Sequence, residues 1–375
     1  MRSRLLNRMR VSLPILFMCC VFFVSTGTVQ ADIPLDEDEK WNLFGRVRLR
    51  FEQDNEQDSD RESRTRARIG NFVGLKYAPN DLWEFSVRGR LGDRRDARIV
   101  DMTYYIKEDY SYGRRGVFAD QFFARYKRED TLVTIGRSQM PFWSNTEKLW
   151  DEDINPLGGH LVKRLNSGKN PVTMSVGSFH MPDGMEAFHS WMHAIQFSWA
   201  QTGNDWNWQV ALSYFDRPGD SGARYLLHGD GERDYRFAVL STRLSGQLLA
   251  RPAYVGFDLF ENLESYSEDD SSILTRTFRE ETSGYALAFN LGENKKRGDW
   301  RLRYVYARVE WFAAMPSYAT TSFGWLDKSN VIVNDFRADY SLSDQWRVTG
   351  RISPARNIIG PRKSTRFRVD FSRSF

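Results

Sequence analysis

Ten arginines of this chain recur at two-residue spacing in four stretches. Arg46, Arg48 and Arg50 form the first and Arg64, Arg66 and Arg68 the second; Arg88 and Arg90 make the third, Arg366 and Arg368 the last. A period of two puts every member of a stretch on one face of a β-strand. Guanidinium groups keep their proton, so such a face offers no acid–base catalysis. It offers a fixed positive field that draws carboxylates, phosphates and other anions. Folding the first two stretches about a loop near Gln57 sets Arg50 by Arg64, Arg48 by Arg66 and Arg46 by Arg68. Like charges directly opposite each other weaken a sheet, and a dry core does not hold them unpaired. A water-filled lumen does, through solvation, counter-carboxylates and anionic solute.

The second constellation lies in the long polar segment Gln139–Gly158, where Trp150 precedes Asp151, Glu152 and Asp153. Folded inward, this acidic run faces the arginines across a constriction. Apposed charges in a narrow mouth sort solutes by charge and dipole. Asp151, Asp153 and Asn155 imitate the start of a calcium loop. However, Pro156 stands where that loop needs glycine and Val162 where it needs a closing carboxylate. No cofactor is expected, and a calcium ion near Asp151 stays an open alternative. His189 and His193 are four apart, about 13 Å along a strand, and are expected on an outer face with Trp191, Ile195 and Phe197. Ser190 points away from His189, so no hydrolase dyad forms. No phosphate loop or dinucleotide fingerprint is present, and no enzyme is expected.

Both chain ends bear on where these residues work. Arg2, Arg4, Arg8 and Arg10 lead into an apolar run from Val11 to Ser25, and Val29-Gln30-Ala31 offers small residues before a cut. Residues 1–31 are therefore expected to be a secretory signal peptide, too short in its apolar part to span a bilayer core of about 30 Å. The four leader arginines account for the whole excess of 53 Lys and Arg over 49 Asp and Glu. The remaining chain, 32–375, is formally neutral, so its charge does not argue for a nucleic-acid partner. Cys19 and Cys20, both in the leader, are the two cysteines of the sequence. Disulfides and thiol chemistry are thereby excluded from 32–375.

Period-two alternation runs through most of 32–375. Trp41, Leu43, Gly45, Val47, Leu49 and Phe51 alternate with Asn42, Phe44, the first arginines and Glu52. At the other end Phe367, Val369, Phe371, Arg373 and Phe375 alternate with Arg366, Arg368, Asp370, Ser372 and Ser374. Short turns are expected at 78–81, 128–130, 166–170, 201–205, 245–247, 292–299 and 341–344. Long connections are expected at 53–62, 93–116, 139–158, 181–188, 216–233, 261–281, 313–330 and 354–364. Their strict alternation predicts an all-β, antiparallel, up-and-down transmembrane barrel of about sixteen strands, with fourteen or eighteen left open. The strands near 159–165 and 248–260 are the least distinct. Trp83, Trp206, Trp300 and Trp346 each follow a short turn, as an interfacial belt requires. Closure pairs the last strand with Trp41–Glu52 and adds Arg366 and Arg368 to the same wall.

Gly136-Arg137, Pro141-Phe142, and Trp150-Asp151 through Asp153 to Gly158 resemble a porin family of Gram-negative outer membranes, whose members are large general-porin-like barrels. The arginine-rich opening strands also resemble alginate-export and related barrels. The resemblance implies passive diffusion of small polar solutes, anions among them, past an inward third loop. It also implies a setting of outer-membrane lipids and lipopolysaccharide, and a homotrimer. The terminal Phe375 resembles the aromatic that the barrel-assembly machinery reads. An exporter of poly- or oligosaccharide is the alternative, followed by a plugged structural barrel or a barrel enzyme.

Overall fold

The computed structural model describes residues 32–57, 63–105, 115–166, 168, 170–203, 205–320, 326 and 328–375. The expected leader lies outside the described residues, as does the tip of the first long loop. Alternating side chains produce a meander of long strands. In chain order they are β1 Trp41–Gln57, β2 Arg64–Asn80, β3 Trp83–Asp93, β4 Arg115–Arg128, β5 Thr131–Arg137 and β6 Leu157–Arg164. Next come β7 Val172–Asp183, β8 Ala187–Thr202, β9 Trp206–Arg217, β10 Tyr235–Leu248 and β11 Arg251–Asn262. The last are β12 Ser283–Gly292, β13 Trp300–Val309, β14 Val331–Ser341, β15 Trp346–Asn357 and β16 Lys363–Ser374. A second piece of β3, Asp101–Tyr105, pairs with the upper part of β2 after residues 94–100 have left the wall. Each strand pairs antiparallel with the next, and β16 pairs with β1. The molecule is thus the expected closed sixteen-stranded barrel.

Closure is completed by the last residue. The Phe375 amide donates to the Gly45 carbonyl at 3.0 Å, and the Gly45 amide donates back at 2.7 Å. The Phe375 ring lies over Gly45, where a Cβ would stand 2.5 Å from the ring and 2.9 Å from the Phe72 carbonyl oxygen, so a side chain at 45 would push the ring off this seat. The faces are inverted relative to a soluble protein. On β16, Phe367, Val369 and Phe371 are about 40% exposed, whereas Arg366 and Arg368 are buried. Apolar outside and charged inside is the pattern of a barrel standing in lipid. Trp83, Trp206, Trp300 and Trp346 open β3, β9, β13 and β15, all at the short-turn rim.

Several expected boundaries move. The 245–247 turn is instead Leu249–Ala250, both with positive φ (52° and 57°). A tight hairpin needs that geometry, but the usual Asn or Gly is missing. The 181–188 and 354–364 connections shrink to 184–186 and 358–362 because the strands run on. The two indistinct strands appear as β6 and β11.

The barrel interior has two unlike halves. On one side Phe179, Phe215, Phe237 and Phe260 project inward from β7, β9, β10 and β11. They pack against Leu149 and Ile154 of the third long loop and Phe312, Met315 and Tyr318 of the β13–β14 loop. The other side, from β14 through β1 to β3, is lined by charge.

Candidate functional site

Register decides how the arginines meet. Arg50 lies opposite Arg68, Glu52 opposite Arg66 and Asp54 opposite Arg64, while Arg48 faces Gly70 and Arg46 faces Phe72. The expected Arg50–Arg64, Arg48–Arg66 and Arg46–Arg68 pairs are therefore wrong by four residues. The reason is that β1 runs on to Gln57, which moves the turn and brings its own carboxylates opposite the arginines.

The result is a charge-compensated clamp. The Glu52 carboxylate lies 2.9 Å from Arg368, 3.7 Å from Arg366 and Arg68, and closest to Arg66. Asp54 takes Arg64 and Arg366 at 2.6 Å and Arg66 at 3.1 Å. Asp370 accepts both ends of the Arg50 fork, at 2.7 and 2.9 Å. Asp101 enters from the second piece of β3, over Gly70, and reaches Arg48 at 2.7 Å, Arg50 at 3.2 Å and Arg68 at 3.4 Å. Arg88 and Arg90 share Asp120, at 2.5 and 3.2 Å. Arg46 pairs with no carboxylate among the described residues; its guanidinium lies 5.1 Å over the Phe72 ring.

Opposite this wall stands the third loop, residues 138–156. Its backbone is pinned across the lumen. The Asn145 amide and Nδ2 donate to Asp258 of β11 at 3.0 and 2.9 Å, and the Thr146 hydroxyl donates to the same carboxylate at 2.7 Å. The Asp151 amide donates to the Tyr318 carbonyl at 2.8 Å. Arg98, from the 94–100 excursion, donates to the Pro316 and Ala319 carbonyls and ties that excursion to the β13–β14 loop. Trp150 does not face the arginines. Its ring sits in the apolar half, 5.4 Å from Phe215 and 6.1 Å from Tyr318.

Between wall and loop lies a cavity of about 170 Å³, lined by nine arginines and six carboxylates, with Val100 its one apolar side chain. Arg46, Arg48, Arg50, Arg68 and Arg368 face Glu147, Asp151, Glu152 and Asp153 across it. A second cavity of about 220 Å³ shares Arg46, Arg48, Glu152 and Asp153 and adds Arg88 and Arg90. Arg64, Arg66 and Arg366 line neither; they lie nearer the long-loop rim, in the clamp around Asp54. Arg98, Asp101, Glu147, Arg337, Arg347 and Arg351 also line the first cavity and lie outside the arginine stretches and the acidic run expected from the sequence. The last two stand at period two with Thr349 on β15, so strand alternation alone puts them on the lumen face.

The loop carboxylates repel one another. Glu147 first, then burial and Asp153, push the Glu152 carboxyl up to about 7. Burial, reinforced by Asp153 and Glu147, raises Asp151 well above the usual carboxylate range. Among the described residues no three His, Asp or Glu side chains gather to hold a metal ion. His189 also departs from expectation. A bulge between Phe188 and Trp191 turns it off the outer face, to 3.4 Å from Asp220, while His193 stays on that face beside Ile195.

No protein-family model matches the chain, and no curated protein matches it significantly. Two solved structures of Pseudomonas putida OprB, at high and at low pH, are similar in fold. Their TM-scores are 0.58 and 0.55 at 9% and 10% identity. Each alignment covers 90% of this chain, and 95% and 93% of the respective OprB chains.

Proposed function

We propose that this chain is an outer-membrane porin that passes small polar solutes by passive diffusion and prefers anions. The reading rests on one observation: an arginine-rich wall faces a pinned acidic loop across cavities the size of small solutes. Arginine outnumbers carboxylate around the narrower cavity, so the net field there is positive. The sixteen-stranded fold shared with OprB supports the channel reading. Outer-membrane lipid and lipopolysaccharide surround the barrel, the assembly machinery engages the strand ending at Phe375, and the barrel works as a homotrimer. Planar-bilayer recording tests the channel. Stable open conductance is expected, with chloride favoured over potassium by about threefold, worth under one kcal/mol of net field. Absence of conductance sinks the porin reading; cation preference sinks the selectivity.

The acidic loop makes that preference depend on pH. Glu152, pushed up to about 7, is mostly protonated at pH 6 and mostly charged at pH 8. Lowering the pH removes a negative charge from the cavity, so anion preference is expected to rise on acidification and fall on alkalinisation. The reversal potential of wild type should move by several millivolts between pH 6 and 8. In Glu152→Gln it should stay near the acidic value throughout. A pH response that survives the substitution would assign the effect to another group.

A further inference from the structure

We propose that the short-turn end of the narrower cavity binds a phosphate group, as the free ion or as a monoester. Nine arginines line that cavity. Seven of them already hold a carboxylate, as Arg50 holds Asp370 and Arg351 holds Asp335. Among the described residues, Arg46 and Arg347 hold none. The Arg46 guanidinium rests on the Phe72 ring, and Arg347 donates to the Asn294 carbonyl at 2.8 Å. The positive charge of these two is left for a solute.

The end of β16 explains why. Its inward positions pass from Asp370 to Ser372 and Ser374. Asp370 stands opposite Arg50 and pairs with it, whereas Ser372 stands opposite Arg48 and Ser374 opposite Arg46. On the other flank of β16, Arg347 of β15 also stands opposite Ser372. Serine thus occupies both places from which a carboxylate would reach these arginines. Arg46 and Arg347 come from strands about 9.6 Å apart, with the two serines between them. All four residues line the cavity. The Nε–H groups of Arg48 and Arg347 are also buried without an acceptor, and a buried donor left so is costly. This row of the wall is rich in donors and short of oxygen acceptors.

Phosphate supplies those acceptors in the right arrangement. A carboxylate has two oxygens in one plane and is satisfied by a single guanidinium fork. A phosphate monoester has three terminal oxygens spread around the phosphorus, so it meets two forks from opposite flanks and a hydroxyl between them. Across the cavity stand Glu147 and Glu152. Their carboxylates accept from the hydroxyls of an organic group and repel a second phosphate. One ion is therefore held at a time and leaves readily, as conduction requires.

The inference rests on the channel reading for the path of the ion, but binding is readable without a channel. Inorganic phosphate, added to planar bilayers at fixed pH and ionic strength, is expected to halve the chloride conductance at roughly 1 mM, an affinity weak enough for release. Acetate should need about tenfold more, because it engages one fork and not two. Arg46→Gln and Arg347→Gln should each raise the half-blocking phosphate concentration about tenfold, the loss of one charged fork. Neither arginine holds an ion pair, so both variants are expected to fold. Arg128→Gln, at the exposed end of β4 on the same rim, should leave the block unchanged. Glycerol 3-phosphate acting as well assigns the site to monoesters, and inorganic phosphate acting alone assigns it to the free ion; either upholds it. Acetate as effective as phosphate overturns the inference, as does a block that survives both substitutions. Titration calorimetry of folded protein in detergent separates the two readings. Heat on adding phosphate without conductance keeps the site and sinks the porin; conductance without heat or block does the reverse.

Discussion

Glu52→Gln is expected to lower the stability of the barrel by about 3–5 kcal/mol, the usual consequence of removing one partner from a buried charge cluster. Four arginines, Arg66, Arg68, Arg366 and Arg368, approach this one carboxylate, which is 2% exposed. Glutamine keeps the shape and one acceptor oxygen, but not the charge. Asp54 is already engaged by Arg64, Arg66 and Arg366, and Asp370 by Arg50. Neither has capacity to neutralise what Glu52 leaves behind. The strands held by this cluster are β1, β2 and β16, so the loss falls on the seam where the barrel closes. Urea unfolding of protein refolded in liposomes, followed by tryptophan fluorescence, should show an earlier midpoint. The half-exposed rim substitution Glu84→Gln is expected to stay within about 0.5 kcal/mol of wild type. Adding Arg368→Gln to Glu52→Gln should recover part of the loss, since the two side chains are in direct contact. A Glu52→Gln barrel that unfolds with the wild type would show that lumen water, and not the clamp, solvates these arginines.

The same cluster shows where the sequence was readable. Alternation identifies which side chains face the lumen, and every arginine of the four stretches does so. It does not fix the slide of one strand past the next. A slip of one residue would turn each side chain over, but a slip of four leaves every face unchanged. Arg50 therefore read as a neighbour of Arg64, while the fold sets it against Arg68. Glu52 and Asp54, in phase with the arginines, were the clue to the true register. The excursion at 94–100 was hidden for a different reason: it resumes the same strand at Asp101, so it reads as part of one long polar loop. Trp150 adjoins the acids in sequence, yet its ring parts from them. A loop has no fixed period, so adjacent side chains are free to part, one into the apolar half and the others toward the arginines. The apolar run from Phe312 to Met315 carried its own hint of burial inside a segment otherwise read as a surface loop.

Asp258→Ala is expected to release the third loop and roughly double the open-channel conductance, by merging two adjoining cavities of similar size into one conducting section. Asp258 is the principal polar anchor of that loop on the far wall. One oxygen accepts from the amide and the Nδ2 of Asn145, the other from the hydroxyl of Thr146. Bonds to a charged acceptor are individually worth about 1.5–3 kcal/mol when buried, so three together exceed the thermal energy by a wide margin. Asn145 is further seated by the Thr242 and Phe257 carbonyls and by Arg243, directly over Gly256, where a Cβ would lie 2.3 Å from its Oδ1. Without Asp258 the Asn145 amide is stranded, and residues 144–147 lose the link that holds Glu147 toward the arginines. The loop on either side of Asn145 and Thr146 behaves differently. Trp150 and Phe142 are held by aromatic contacts with Phe215, and these do not depend on Asp258. The loop should therefore swing about Trp150 and not detach, giving larger and noisier openings with weaker pH dependence while the barrel stays folded. Unchanged conductance and noise in Asp258→Ala would assign the anchoring to the apolar half. Gly256→Leu, which crowds Asn145 off the same seat, should reproduce the Asp258→Ala phenotype with the carboxylate still present; if it does not, the seat at Gly256 plays no part in the anchoring.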